Sequence, residues 1–520
     1  MSLPSVNISL GQGGLGQPQQ NFDGYSALIA YYNASTATAG YSTIGNKVYN
    51  SIADAESDGV VKTYAEATAG TVIDTVAVVG TNGDVVTLTF TSFDGSIIAL
   101  GSYTKVSGDT TPLLVATAIV ASINSLTYLS GFSAVLGALG AYTVTAPKKL
   151  GIFVNAKSIT YTYSAGATLS VTSGTFTGGT KSWLRIWHYQ ISEYFRKNST
   201  PLYFSIKLDN TTVNTNVGLF NTQLTADILS VQNAWSGNAR RIGISSTGRT
   251  FATSTLDAIK SAYDTLLSIK MPASFFFVGD NTATSLSAQP NLSALTDDGI
   301  VFLEGQSGSG TGLELSKTQM QVIGTLGLAL GVKSSGAISQ SIAEVGAFQL
   351  SNGTECETAV FLDGTAFGVG NKSLNDQLND YGYVFLRKFV NATGTFFSNS
   401  VCATTPSSDY KYVELAETIH KAVRGVYASI LPLLNARNTL NSNGTLSKSS
   451  ISAYQSNAGY ALTQMFVDGD ISQDPATNGG IVVSATEVVS VSSNIPITIS
   501  LIPRGYGRKI SITIGYVAKI

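Results

Sequence analysis

The chain has 520 residues, with 30 Lys and Arg against 32 Asp and Glu, so its net charge is −2 and only 12% of it is charged, about half the usual share. No basic run exceeds two residues, which removes the electrostatic footprint expected for a nucleic-acid backbone or an anionic membrane as partner. A length well above the roughly 150 residues of one domain implies several folded units, and a neutral surface rich in Gly, Ser and Thr can meet copies of itself without desolvating many ions.

The start, Met1-Ser2-Leu3-Pro4-Ser5-Val6, lacks the basic stretch and apolar core of a signal peptide, and no run of about 18 apolar residues follows, so the protein reads as cytosolic when made. Val6, Ile8 and Leu10 alternate with polar residues as a strand does. Gly11–Gly16 then abolishes regular structure, which makes residues 1–20 a strand arm on a tether. From Phe22 to Glu66 a short strand and helical turns are expected.

Residues 67–182 differ in composition: Val- and Thr-rich runs alternate with turns, and strands are expected at 71–79, 84–91, 96–99, 142–145, 159–163 and 168–172. Asn82-Gly83 is the expected hairpin turn between the first two. One helix follows Asp109-Thr110-Thr111-Pro112, with Leu113, Ala116, Ile119, Val120 and Ile123 at helical spacing. This is an inserted, mostly β module.

Beyond Trp183 helices and strands alternate. Helices are expected at Trp183–Arg196, 219–235, Thr255–Ile269, Ser316–Leu330 and 372–380. Strands are expected at Leu202–Leu208, Ser274–Val278, Gly299–Leu303, Ala359–Leu362 and Tyr383–Val390. Apolar strands spaced by helices imply a largely parallel sheet covered on both faces.

After Tyr412, the residues Leu415, Ile419, Val423, Val426, Ile430 and Leu433 mark an amphipathic helix that Pro432 kinks or ends. Its other side carries Glu414, Glu417, Lys421 and Arg424, which reads as a solvated face. A short element starting at Ile451–Tyr454 and strands at Tyr460–Val467 and Ile481–Val491 follow. The chain closes on two alternating strands, Ile495, Ile497, Ile499 and Leu501, then Ile510, Ile512, Ile514 and Tyr516.

The inventory of reactive groups is short. His188 sits among Trp183, Trp187 and Tyr189, and His420 lies beside the helical stripe; both read as structural. No GxSxG elbow, HExxH or Cys/His cluster of metal spacing occurs, and Cys356 and Cys402 read as buried thiols. Gly11–Gly16 fits GxGxxG but is followed by Pro18 instead of a helix, and Gly305–Gly312 lacks a phosphate-binding lysine, so it reads as a flexible surface loop. Asp468, Asp470 and Asp474 lack the glycine and closing glutamate of a calcium loop and read as a solvated turn. Neither an enzyme nor a cofactor or metal is expected. Val6–Leu10 on its tether can instead add to a neighbour's sheet, with the C-terminal strands as acceptors.

The order Tyr412-Val413-Glu414-Leu415-Ala416-Glu417-Thr418-Ile419-His420-Lys421-Ala422-Val423-Arg424, then Gly444-Thr445-Leu446, then a strand expected around Tyr460–Asp468, then Ile495-Pro496-Ile497-Thr498-Ile499, resembles contractile phage tail sheath proteins. The opening Leu3–Leu10 resembles their N-terminal arm. The resemblance covers residues 1–50 and 400–520 directly and 200–400 in pattern. It implies an α/β core with a largely parallel or mixed sheet and flanking helices, and extended N- and C-terminal strand arms; the inserted mostly β module matches no invariant part of the family and is placed outside, as other sheath insertions are. The units are then a linker arm (1–20), the α/β domain (21–66 and 183–400), the outer module (67–182), an inner tube-facing domain (401–502) and a C-terminal arm strand (503–520).

The implied function is a structural subunit of a sheath that contracts to drive a tube through a target envelope. The implied partners are further copies in six-fold stacked rings, a tail tube protein, and baseplate and tail-terminator proteins at the ends, within a virion assembled in a bacterial cytoplasm. Neighbours are linked by arm strands through Val6, Ile8, Leu10, Ile495, Ile497, Ile499, Ile510, Ile512 and Ile514. Glu414, Glu417, Lys421 and Arg424 are implied as releasable contacts to the tube. A secreted or surface-layer β-rich adhesin also fits the low charge, and an α/β hydrolase fits the alternating pattern. The adhesin predicts a cleavable signal, and the hydrolase a histidine near an acid and a nucleophile.

Overall fold

The computed structural model of the chain describes residues 22–33, 41, 44–209, 216–280, 285–305, 307–319, 323, 325–352, 355–361, 364–366 and 372–512. In chain order it opens with β1 (Ser26–Asn33), β2 (Lys47–Tyr49) and α1 (Ile52–Ser57). Next come β3 (Thr71–Val78), β4 (Val85–Thr91), β5 (Ile97–Thr104), α2 (Pro112–Ser125), α3 (Thr127–Ser130), β6 (Ser133–Leu136), β7 (Ala141–Thr145), β8 (Thr160–Tyr163) and β9 (Ser170–Thr172). The α/β alternation then runs through α4 (Trp183–Lys197), β10 (Leu202–Asp209), α5 (Val217–Ala234), β11 (Arg241–Thr250), α6 (Thr253–Ser268), β12 (Ser274–Asp280), β13 (Thr296–Asp297) and β14 (Ile300–Leu303). After α7 (Gly310–Thr318), α8 (Leu326–Ser335) and α9 (Lys372–Asp380) come β15 (Tyr383–Val384), β16 (Leu386–Arg387), β17 (Phe396–Phe397) and β18 (Ala403–Thr404). The last elements are α10 (Val413–Ile430), α11 (Lys448–Val467), β19 (Ile481–Val483), α12 (Val489–Ser492) and β20 (Ile497–Ile499).

The largest sheet has the order β15-β14-β12-β11-β1-β10-β2 and is parallel except for β2, so the architecture is mixed α/β. Strand β1 takes a central place because Ala27–Tyr32 is uninterruptedly apolar, as a strand covered on both faces must be. Alternate residues serve opposite cores. Leu28 and Ala30 pack with Trp183, Trp187, Leu326 and Leu330 of α4 and α8, while Ala27, Ile29 and Tyr31 pack with Phe220, Ile228, Ile259 and Leu266 of α5 and α6. Helix α8 lies tight on α4 because Gly327 and Gly331 carry no side chain. A Cβ there would fall 2.0 Å from the Gln190 carbonyl oxygen and 2.5 Å from that of Tyr194.

Strands β3–β9 form two antiparallel sheets, β6-β7-β3-β9 and β5-β4-β8, around a core of their own that includes Phe90, Phe132, Phe176, Ile119 and Val144. Helix α2 starts where the sequence predicts: the Thr111 hydroxyl accepts from the Leu114 amide at 3.3 Å and Pro112 opens the first turn.

Several expectations are corrected. Asn82-Gly83 is not a hairpin turn, because β3 pairs with β7 and β9 while β4 pairs with β5 and β8. The corner between the sheets is held by the Asp84 carboxylate, which accepts from the Thr81, Thr168 and Leu169 amides. Tyr460–Val467 is helical, the second half of α11; Tyr454, Ala458, Leu462 and Met465 are among its buried residues, a helical period hidden by the Ser-rich first half. The helix expected over Ser316–Leu330 is two helices, α7 and α8. Gly310 starts α7, where Glu355 Oε1 accepts from the Thr311 amide at 2.7 Å, so this stretch is no loose loop. Ala359–Val360 makes one isolated bridge, Val360 to Ala366, and Leu362 lies outside the described residues. Tyr383–Val390 divides, with β15 in the large sheet and β16 paired to β17. Strand β11 was not foreseen, since Ser245, Ser246, Thr247, Gly243 and Gly248 dilute its apolar content.

Asp297, in the two-residue pairing of β13 with β18, is 2% exposed and its Oδ2 has no hydrogen-bond partner. Burial first, and Asp257 second, push its carboxyl up to about 7. A carboxyl with a raised folded-state pKa holds its proton between about pH 4 and pH 7, so its contribution to stability falls as pH rises through that window. Asp297→Asn is expected to raise the melting temperature at pH 8, by roughly 2 °C or more, and to leave it unchanged at pH 4. Thermal scans at the two pH values check this, and an equal effect at both would refute it.

Candidate assembly interface

The helix predicted from its 3-and-4 spacing forms as α10 and ends at Ile430, with Pro432 in a single 3-10 turn, Leu431–Leu433. Its orientation is the reverse of the expected one. Glu414 and Glu417 are 0% and 2% exposed, whereas Tyr427 is 47% exposed and Ile419, Val423, Val426 and Ile430 are half-buried.

The reason lies at the starts of the parallel strands. Ser26 of β1, Arg241 of β11 and Ser274 of β12 stand in one cross-strand row, all with no exposed surface. A buried guanidinium is tolerable only with a charged, hydrogen-bonded partner. Glu417 supplies it: its Oε1 and Oε2 accept from Arg241 Nε and Nη2 at 2.8 and 2.7 Å, with Lys333 Nζ 3.4 Å from Oε2. Burial holds the Lys333 ammonium below the ordinary lysine value, and Glu417 pulls it back up. One turn on, Lys421 lies 2.7 Å from Asp23, 3.1 Å from Asp468 and 2.6 Å from Asp470. Burial works against its charge, but Asp23 and Asp470 outweigh that and raise its pKa. Arg424 Nη1 donates to the Pro272 carbonyl at 2.8 Å, just before β12.

Glu414 faces the other way along the same surface. It accepts from the Ser400 hydroxyl at 3.1 Å and from Arg508, whose guanidinium also lies 3.5 Å over the Tyr412 ring and donates to Asn399 Oδ1 at 2.8 Å. Of the four residues read as a solvated, tube-facing surface, Glu414 and Glu417 are therefore internal and Lys421 and Arg424 are half-buried, all against partners that lie far away in sequence. Asp468 and Asp470, read as a solvated turn, belong to the same set. His420 is on this buried face too, its Nε2 3.0 Å from the Tyr263 hydroxyl and its Nδ1 3.5 Å from that of Ser274. Burial, with Arg424 beside it, pushes the imidazole down to about 3. His188 Nε2 lies 2.8 Å from Glu56.

Turning its charges inward leaves the apolar stripe of α10 facing a groove of about 980 Å³, closed on its far side by Ile495, Ile497, Ile499 and Leu501. Strand β20 carries Ile497 and Ile499 and pairs antiparallel with β19, with Ile481 opposite Ile499 and Val483 opposite Ile497. The first of the two expected closing strands thus forms as β20 and has β19 as its partner. Ile510 and Ile512 are 79% and 77% exposed and form no strand. Val6, Ile8, Leu10 and Ile514 lie outside the described residues. Cys356 and Cys402 are buried and free, and burial pushes the Cys356 thiol up to about 12. Among the described residues no His, Cys, Asp and Glu group can hold a metal ion, and no helix is long and apolar enough to cross a membrane.

Sequence reasoning missed Arg241, Lys333, Asp23 and Arg508. A signal existed: Arg241 directly precedes the alternating Ile242 and Ile244, and Lys333 is the sole charge in Leu326–Ser335. Each implied a buried partner, and the acids of α10 were available.

A family model described as DUF2586, C-terminal domain, matches residues 409–520. No curated protein matches the chain. Among solved structures, the sheath tail protein Lin1278 of Listeria innocua is similar at 12% identity over 93% of this chain and 92% of that one, with a TM-score of 0.40. A chain of the six-fold symmetrised anti-feeding prophage baseplate is similar at 12% identity over 64% of this chain and 80% of that one, with a TM-score of 0.39.

Two outcomes follow from the buried face. Glu417→Ala strands Arg241 without its counter-charge and is expected to cost about 3–5 kcal/mol in denaturant unfolding of the full chain; a loss under about 1 kcal/mol would mean that the pair does not hold α10 in place. A histidine with a lowered folded-state pKa stabilises at neutral pH and loses that contribution as pH falls below its unfolded value of about 6.5. The stability difference between wild type and His420→Gln is therefore expected to shift against wild type by about 2 kcal/mol from pH 7 to pH 5. Urea titrations at the two values measure it.

Proposed function

We propose that this chain is a structural subunit of a contractile tail sheath, without catalytic activity. Copies polymerise as six-fold stacked rings around a tail tube, and contraction drives the tube through the target envelope. Baseplate and tail-terminator proteins bound the polymer at its ends, and the particle is a virion or phage-like device assembled in the bacterial cytoplasm. The module of residues 67–182 decorates the outer surface.

The observation that carries the reading is the groove between α10 and β20. Among the described strands β20 is hydrogen-bonded to β19 alone, and it borders a long apolar trough next to a chain end. An extended segment with apolar residues at alternate positions satisfies both features at once: its backbone extends the sheet and its side chains fill the trough. Val6, Ile8 and Leu10 have that alternation and sit on a glycine-rich tether, which allows them to reach a second copy. Ile510, Ile512 and Ile514 have it at the other end. The low charge and the resemblance of residues 1–50 and 400–520 to sheath proteins support the same reading.

Electron microscopy of the purified protein tests it: tubes or stacked rings with a regular repeat are expected, and monomers that persist at high concentration would overturn it. Deletion of residues 1–10 is expected to leave the melting temperature within about 2 °C of wild type while abolishing ordered tubes. An unchanged polymer would reject strand exchange while leaving the sheath assignment standing.

A further inference from the structure

The two sheets of the β-rich region end, on one side, in the edge strands β5 and β6. An exposed strand edge is a template for another chain, and proteins blunt it with charge, proline, bulges or a cover. Neither edge here carries a charged residue or a proline: β5 reads Ile-Ile-Ala-Leu-Gly-Ser-Tyr-Thr and β6 reads Ser-Ala-Val-Leu. Val135 on β6 is in addition 68% exposed, so the apolar content that favours pairing is already at the surface.

Helix α2 lies between these edges. Ile123 is fully buried in the core, and the residues on either side of it each reach a different sheet. The Ser122 hydroxyl accepts from the Ser102 amide at 2.9 Å and donates to the Ser102 carbonyl at 2.8 Å. The Asn124 side chain accepts from the Ala134 amide at 2.8 Å and donates to the Ala134 carbonyl at 2.9 Å. Each side chain thus makes the donor-and-acceptor pair that an added strand would make with that residue. The approach to β5 depends on Gly101, where a Cβ would fall 2.6 Å from Ser122 Oγ, and the β4–β5 register shifts next to it, between Leu88 and Thr89.

The geometry points to Ser122 and Asn124 as edge plugs: they hold shut two strand edges that would otherwise pair with the same edges of a second copy. The occupant of an opened edge is a second copy because the strands are neutral, so no electrostatic repulsion opposes like meeting like, and antiparallel self-pairing needs no other sequence. Wherever two copies meet, the plug confines β-pairing to sites other than this region. The inference does not depend on the sheath reading.

The test is the full-length double variant Ser122→Ala/Asn124→Leu. At low concentration, amide exchange in peptides covering 97–104 and 133–136 is expected to quicken about tenfold with the far-UV spectrum unchanged. On concentration, sedimentation is expected to show association beyond that of wild type, with exchange in the same peptides slowing again. Adding Val135→Lys to the double variant places a charge on the β6 edge and is expected to reduce that association, while Ser122→Thr alone, which keeps the hydroxyl, behaves as wild type. Faster exchange with wild-type association, unchanged exchange, or association indifferent to Val135→Lys would each overturn the proposal. If the double variant does not fold, Ser122→Ala and Asn124→Leu singly apply the same readouts to one edge each.

Discussion

The arrangement of the C-terminal third rests on one buried ion pair, Arg241 with Glu417. Arg241 stands at the start of β11, between Ser26 and Ser274, where the parallel sheet ends and helix α10 crosses. Two charges at this depth attract strongly only because they are hydrogen-bonded through both oxygens, and either one alone would be a heavy burden on the fold. The pair therefore contributes specificity of orientation: it decides which face of α10 looks inward. The groove along α10 and the exposed tail beyond Arg508 depend on that decision.

An amphipathic helix is normally read by assigning its apolar stripe to the core and its charges to water. For α10 this reading found the helix and its end correctly and turned it the wrong way, because periodicity locates two faces without saying which one is covered. Burial of the charged face required six charged partners, Asp23, Arg241, Lys333, Asp468, Asp470 and Arg508, from segments that share no local pattern with it. The same limit explains β11, a central strand whose Ser and Thr residues are buried among strands and polar partners. Elements whose signal is carried by their own residues were legible: the Thr111 cap of α2, the aromatic face of α4 and the apolar runs of β1 and β12 all lie where their residues place them. The strand at Tyr460–Val467 failed for a local reason, since the small polar residues of Lys448–Asn457 obscure the helical period that Tyr454, Ala458 and Leu462 continue.

Low charge poses a problem that this fold meets in more than one way. A chain with few ions has little electrostatic protection against unintended pairing, and its β-rich region brings four edge strands to the surface of two sheets. On one side α2 covers β5 and β6 through Ser122 and Asn124. On the other, β8 and β9 follow one another directly, and the Asp84 carboxylate ties the connection at Thr168 and Leu169 back to the corner at Thr81. Multiple amide donors hold that carboxyl well below the ordinary range, so the tie persists to acidic pH. Charge is scarce here, and it is spent where backbone donors would otherwise lack partners.

The tail shows how the ionic face and the apolar groove are joined. After β20, Pro503 bridges to Ile471, Arg504 donates to the Gly469 carbonyl at 2.8 Å, and Arg508 reaches Glu414 and Asn399. Gly469 lies between Asp468 and Asp470, the residues that hold Lys421, so the tail is anchored to both ends of the charged face of α10. Two residues beyond the Arg508 anchor the chain is fully at the surface, with Ile510 and Ile512 exposed. A segment held at a fixed point reaches only a restricted volume, which raises its effective concentration at any acceptor within that reach. The charges of α10 thus also hold the chain at Arg508. The apolar groove and the Arg508 anchor are therefore tied to the same helix, which Glu417 holds against the sheet through Arg241.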